Sequence, residues 1–170
     1  MTEDWSKSHN GLFLCTFKQA DELMPEVSHI LNELKPLLEA PESDYLVDVK
    51  IHMLMPTQIP CIPNWHYDFL ARDCDGERIE SKTSDKKMYM WLSGAPLTEY
   101  KKGGKIYTKP ARQWHSFTQR DYHRGTASTE HTWRCLIRVI PKEFVHSHTI
   151  NSGGIRRHTQ VYLDSNNFKW

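Results

Sequence analysis

The sequence predicts a mainly β domain, an antiparallel sandwich, barrel or jelly roll with one helix packed against its outside. Three observations carry this expectation. A single apolar stripe at helical spacing lies near the N-terminus, about eight short strand-like segments follow it, and turn signals punctuate the intervals between them. The length of 170 residues suits one domain. The expected layout is a helical segment at about 18–40, a β core at about 46–141 and a C-terminal extension at 142–170.

The helix is expected over 21–39, where Leu23, Val27, Ile30, Leu31, Leu34 and Leu38 share one face. Pro25 is tolerated in a first turn, and Pro36 should end the helix. Over 46–55 the period changes to two. Val47, Val49, Ile51, Met53 and Met55 alternate with Asp48, Lys50 and His52, which reads as a strand. Further strands are expected at 64–70, 87–93, 104–108, 113–118, 121–125, 132–140 and 158–163. Asp75-Gly76, Gly94-Ala95-Pro96, Lys102-Gly103-Gly104 and Ser152-Gly153-Gly154 supply turns between them. The charged stretch 73–87 reads as an exposed loop, a lid beside whatever site exists. The tail 146–170, with Arg156, Arg157 and a final Trp170, is expected to cover a pocket, pair along a sheet edge or mediate oligomer contacts.

Composition excludes several classes. Hydrophobic residues make up 38% and charged residues 25%, too apolar for a disordered chain. No apolar run reaches the ~18 residues of a membrane span, and no secretory signal is visible. The four cysteines are scattered without a C-x-x-C pair. That points away from a structural zinc site and toward a reducing, cytoplasmic setting. Net charge is +1, yet residues 1–85 carry 7 Lys/Arg against 16 Asp/Glu, and residues 86–170 carry 15 against 5. Two readings stay open: an acidic layer facing a basic one, or a basic mouth that attracts an anionic small-molecule, nucleotide or nucleic-acid partner.

The chemistry is expected around His66-Tyr67-Asp68. On a strand, residues i and i+2 face the same way, so this imidazole and this carboxylate can reach one metal ion. A third ligand would complete a triad of two His and one carboxylate with open positions. Of the ten histidines, His115, His123 and His131 are the candidates. His123 is preferred because Asp121-Tyr122-His123-Arg124-Gly125-Thr126 ends a strand in a tight turn. Arg134 and Arg138 share one face of the segment that follows. If inward, they need an anionic partner; if outward, they simply meet solvent. His52, Tyr89, Trp91 and Tyr107 are candidate pocket-lining residues, with core packing as the competing role.

Trp65-His66-Tyr67-Asp68-Phe69, then His123-Arg124-Gly125-Thr126, then Arg134 resembles the Fe(II)/2-oxoglutarate-dependent dioxygenases over about residues 46–141. The resemblance implies a double-stranded β-helix, the cupin-like jelly-roll shape. It implies Fe(II) held by His66, Asp68 and His123. It implies 2-oxoglutarate with its far carboxylate on Arg134, or on Arg138 as second choice. The implied activity is hydroxylation or demethylation of a substrate, coupled to decarboxylation of 2-oxoglutarate to succinate. The alternative is a non-catalytic binding or assembly protein that uses the same pocket for a small anionic ligand.

Overall fold

The computed structural model describes residues 10–145 and 153–163. The tail's remaining residues, Trp170 among them, lie outside the described residues.

The helical segment starts earlier than its apolar stripe suggests and is broken once. Helix α1 (Phe17–Leu23) opens on a capping box: Gln19 N–H donates to Thr16 Oγ1 at 3.1 Å, and Thr16 N–H donates to Gln19 Oε1 at 2.9 Å. Such caps contribute about 1 kcal/mol. At Met24 the backbone leaves the helical region (φ −150°), and Pro25 begins a single 3-10 turn before helix α2 (Ser28–Leu34). The single helix expected over 21–39 is thus two short ones, because Pro25 has no N–H to continue the first. Pro36 lies in the 3-10 turn that ends the segment, where the sequence places a stop. Ile30, Leu31 and Leu34 are buried against the sheet.

That sheet has six strands. Its centre is β2 (Tyr45–Leu54) paired along its whole length with β9 (Thr132–Pro141). Outward on one side come β1 (Gly11–Cys15) and β10 (Gly154–Arg156); on the other come β4 (Met88–Leu92) and β7 (His115–Phe117). A three-stranded sheet faces it, made of β5 (Thr98–Lys102), β6 (Lys105–Thr108) and β8 (Tyr122–Gly125). A small ribbon joins β3 (Gln58–Ile59) to β11 (Tyr162–Leu163). Every pairing is antiparallel, and the fold is a mainly β jelly roll with helices outside. No helix among the described residues is long and apolar enough to cross a membrane.

Alternation on β2 and β9 divides the interior into two compartments. Val47, Val49, Cys135, Ile137 and Val139 face the helices and form one apolar core with them. Asp48, Lys50, His52, Arg134, Leu136 and Arg138 take the other face. That face points between the two sheets, not into solvent. Asp48, His52 and Arg134 are all under 3% exposed. Tyr100 on β5 closes the gap by donating its hydroxyl to Met90 Sδ on β4 at 3.0 Å.

Several strands depart from the sequence expectation: the one expected at 158–163 is only Tyr162–Leu163, and the sequence predicts neither β3 nor β10. β1 reads as an unbroken apolar run because it is covered on both faces, and a bulge at Leu14 (φ 46°) shifts its register. β5 reads as a polar loop because only Thr98 and Tyr100 are buried on it. Its two-residue turn to β6 uses Gly103 and Gly104 at φ 55° and 77°, the positive values that a type I′ hairpin requires. Residues 64–70 make no strand but a single bridge, His66 to His123. Pro60 and Pro63 withhold donors on its approach, and Phe69 at φ 56° turns the chain away.

Candidate metal centre

The bridge between His66 and His123 keeps the local alternation of a strand without its length. Trp65 and Tyr67 point outward. Their rings stack on Tyr122, with centroids 5.4 Å and 4.7 Å away. Arg124 covers Trp65 at 4.8 Å, and Arg78 covers Tyr67 at 5.1 Å. The result is a ladder, Arg124–Trp65–Tyr122–Tyr67–Arg78, on the outside of the small sheet. His66, Asp68 and His123 consequently point inward.

Inside, the three side chains converge. His66 Nε2 is 3.7 Å from Asp68 Oδ1, and His123 Nε2 is 3.7 Å from Asp68 Oδ2. The candidate ligand atoms all lie within 4.8 Å of one another. Each imidazole is held from behind. His66 Nδ1 is 2.8 Å from the Asn64 carbonyl, and His123 Nδ1 is 2.8 Å from the Asp121 carbonyl. A carbonyl only accepts, so both Nδ1 atoms carry the proton and both Nε2 lone pairs are directed at the common centre. Burial lowers the His123 pKa, partly offset by Asp68, which keeps the ring neutral as a ligand must be. Burial pushes Asp68 up, but Arg138 and the two imidazoles outweigh it and hold the carboxyl below its usual range.

Behind Asp68 runs a chain of buried charges. Arg138 Nη1 donates to Asp68 Oδ2 at 3.0 Å, and its Nη2 reaches Asp48 Oδ2 at 3.4 Å. Arg156, from β10, donates to the other oxygen of Asp48 at 2.5 Å. Arg134 differs. It is 2% exposed, its Nη2 donates to Thr98 Oγ1 at 3.2 Å, and its Nε and Nη1 have no partner among the described residues. A guanidinium does not shed its charge in a protein, so a buried cation stands without an anion among the described residues.

The three candidate ligands, Arg134, Arg138 and Arg156 open on one cavity of about 210 Å³ between the two sheets, with Asp48 behind them. Met90, Leu136 and Phe117 give it apolar walls, and Gln160 and Tyr162 of the C-terminal segment close its edge. The tail therefore does two of the three things expected of it, pairing on β1 and covering the pocket. The loop 73–87 adds nothing to the lining; Arg78 instead braces Tyr67 from outside.

The sequence-predicted residues divide accordingly. His66, Asp68, His123, Arg134 and Arg138 share the cavity. His52, Tyr89, Trp91 and Tyr107 do not line it. Tyr89 and Trp91 pair in register with Val139 and Ile137 and so face the helices, where the Tyr89 hydroxyl donates to the Leu37 carbonyl at 2.9 Å. Tyr107 lies behind Tyr100, ring on ring at 5.8 Å. His52 sits opposite Arg134 in the β2–β9 register, covered by the C-terminal segment. Of the alternative ligands, His115 turns its Nε2 to the Pro110 carbonyl at 2.7 Å and His131 is exposed. Sequence reasoning missed Lys50, Tyr100 and Arg156 as lining residues. Alternation put Lys50 on the polar face of β2, but nothing in the sequence marked that face as buried.

No protein-family model matches the sequence, and no curated protein does. Among solved structures, a cupin-2 domain-containing protein from Shewanella frigidimarina aligns with 65% of this chain and 91% of its own, at 11% identity and a TM-score of 0.34.

Proposed function

We propose that this protein is an Fe(II)- and 2-oxoglutarate-dependent oxygenase that acts on a small anionic substrate. One observation carries the reading: two imidazoles with free Nε2 atoms and an ionised carboxylate converge in the same cavity as a buried arginine that has no anion among the described residues. The donor set suits a hard-to-borderline divalent ion with open positions. The unpartnered Arg134 nitrogens suit a carboxylate gripped by two bonds.

In this reading His66 Nε2, His123 Nε2 and Asp68 hold Fe(II), and Arg134 holds the far carboxylate of 2-oxoglutarate. Iron and 2-oxoglutarate, with O2 as oxidant, would supply oxidative decarboxylation to CO2 and succinate, one oxygen atom going to succinate and the other to a substrate C–H bond. The chain's own residues do the rest. Arg138 fixes one oxygen of Asp68 and leaves the other for the metal. The backbone carbonyls of Asn64 and Asp121 fix both ring orientations. Met90, Leu136 and Phe117 exclude water from the space between metal and Arg134, where electrostatic interactions strengthen as a result. A cavity of about 210 Å³ is smaller than most ligand sites, about 300–1,000 Å³, which favours a small substrate.

The test is an anaerobic titration with Fe(II) and 2-oxoglutarate, followed by a succinate-release assay in air. The expected results are a weak visible charge-transfer band, a raised melting temperature and slow succinate release. Asp68→Ala removes all three, and His115→Ala and His131→Ala remove none. If no band forms and the pair gives no thermal stabilisation, the oxygenase reading is wrong. Stabilisation by anions alone would instead support a binding protein built on the same pocket.

A further inference from the structure

The cavity holds more positive charge than a metal and 2-oxoglutarate account for. Lys50, Arg134, Arg138 and Arg156 all line it. The carboxylates beside them are Asp68 and Asp48, and these are used by Arg138 and Arg156. Arg134 and Lys50 remain. Among the described residues neither has a carboxylate within ion-pairing distance, and Arg134 keeps two nitrogens without a partner. A divalent ion and a dianionic cosubstrate cancel each other, so binding both leaves the net positive surplus unchanged, and with Arg134 on the cosubstrate Lys50 is the cation left without an anion among the described residues. Uncompensated charge in a cavity between two sheets, partly withdrawn from water, is costly.

The two cations are neighbours on one surface. In the β2–β9 register Arg134 lies opposite His52, and Lys50 lies opposite Leu136, one step along the same inward face. Diagonal pairs of this kind stand about 7–8 Å apart, within reach of long side chains. With Arg134 engaged by the cosubstrate, Lys50 is placed to meet an anionic group beside it on the same wall. Between them His52 is no competitor for an anion. Burial, with Arg134 and Lys50 adding repulsion, lowers its pKa to about 3 and leaves it neutral.

We infer that Lys50 anchors a second anion, a carboxylate or phosphate on the primary substrate, while Arg134 holds the cosubstrate. The inference rests on the oxygenase reading for the assignment of Arg134, but the surplus at Lys50 exists without it. Lys50 belongs to β2, next to the Asp48 that ties Arg138 to Arg156. A substrate held there lies along the wall between the C-terminal segment and the metal ligands. Substrates with a free acid group are accepted, and their neutral amides or alcohols are not.

The test uses the full chain with Fe(II) and saturating 2-oxoglutarate under anaerobic conditions. Inorganic phosphate, propionate and the neutral propionamide are titrated in. Binding is read by melting temperature and by perturbation of the charge-transfer band. Phosphate and propionate should bind with 2-oxoglutarate in place, and propionamide should not. Lys50→Met should weaken phosphate by about tenfold or more and leave 2-oxoglutarate affinity within about twofold; Lys50→Arg should retain most of the phosphate binding. The proposal is overturned if phosphate merely competes with 2-oxoglutarate, if propionamide binds as well as propionate, or if Lys50→Met instead weakens 2-oxoglutarate. Should no charge-transfer band appear, the oxygenase reading fails by itself. The same phosphate titration of metal-free wild-type and Lys50→Met protein, read by melting temperature, then decides the Lys50 site. An unchanged response in the variant would overturn it.

Discussion

The main chains of His66 and His123 exchange both of their hydrogen bonds, at 2.9 Å and 3.0 Å. Two imidazoles from distant parts of the chain are thereby fixed with ring centroids 4.4 Å apart. Residues 64–68 belong to no strand, so this short pairing needs support. Part of it comes from Gly125 N–H, which donates to the Ile62 carbonyl at 2.8 Å. The rest comes from the stacked side chains on the outer face.

Tyr122 is the middle rung of that stack, between Trp65 and Tyr67. Tyr122→Ala should lower stability by about 2 kcal/mol, less than a fully buried aromatic would cost, because the ring is only half-buried. It should also weaken metal binding by about tenfold, although the ring touches neither lone pair, because the segment carrying His66 and Asp68 loses its brace. Tyr122→Phe keeps the ring and should change little. Urea denaturation and metal titration of both variants check this; full metal affinity in folded Tyr122→Ala would refute the bracing role.

The two inward arginines should respond in opposite ways to loss of charge. Arg138 ties Asp68 to Asp48, so Arg138→Met leaves Asp68 without its arginine and Asp48 with Arg156 alone, and should cost about 3 kcal/mol. Arg134 has no acid to strand among the described residues. Arg134→Met should leave the ligand-free protein as stable as wild type or slightly more so. It should nevertheless reduce 2-oxoglutarate affinity by about tenfold to a hundredfold. Denaturation midpoints and the charge-transfer titration measure the two effects separately. Equal destabilisation by both substitutions would show that Arg134 has a partner of its own.

Much of this arrangement was legible in the residues, for identifiable reasons. Alternation over 46–55 and 132–140 located the two central strands, and the i, i+2 spacing of His66 and Asp68 survived the loss of the strand expected around them. Spacing could not say which face of β2 was wet. Asp48, Lys50 and His52 look like a solvated edge, and only the opposing small sheet and the C-terminal segment bury them. Phase was the difficulty at 87–93. Five consecutive buried residues there carry no alternation, so nothing in the sequence distinguished Tyr89 and Trp91, which face the helices, from Met90, which faces the cavity. The break at Pro25 was masked by an apolar stripe that continues in step across it.

Gly125 ends the ligand strand β8 at a point of very close packing. A Cβ there would lie 2.5 Å from the Cys61 carbonyl oxygen and 2.7 Å from Ile59 Cγ2. The nearest obstacle is backbone, so relief requires moving either β8 or the 59–62 segment. Gly125→Ala should therefore destabilise by about 3 kcal/mol or more, the upper end of overpacking costs. Gly94 has nothing within 4 Å of its own Cβ position, and Gly94→Ala is the matched control. A Gly125→Ala protein as stable as the control would mean that the 59–62 segment yields freely.

The buried neutral His52 should make the fold acid-sensitive well above the range of ordinary carboxylates. Its pKa is lowered to about 3 by burial, with Arg134 and Lys50 adding repulsion and the Gln160 backbone pulling partly back. An unfolded histidine titrates near 6.5. Below that value the unfolded chain gains a proton that the folded chain refuses, so stability is complete above about pH 6.5 and falls as pH drops toward about 3. Each pH unit inside that window costs up to about 1.4 kcal/mol, or about 2 kcal/mol between pH 6.5 and pH 5. His52→Gln has no proton to refuse. Urea denaturation at pH 7 and pH 5 should show the wild type losing about 2 kcal/mol more than the variant. Parallel losses in the two proteins would mean that His52 takes up its proton in the folded state, which the cations beside it should prevent.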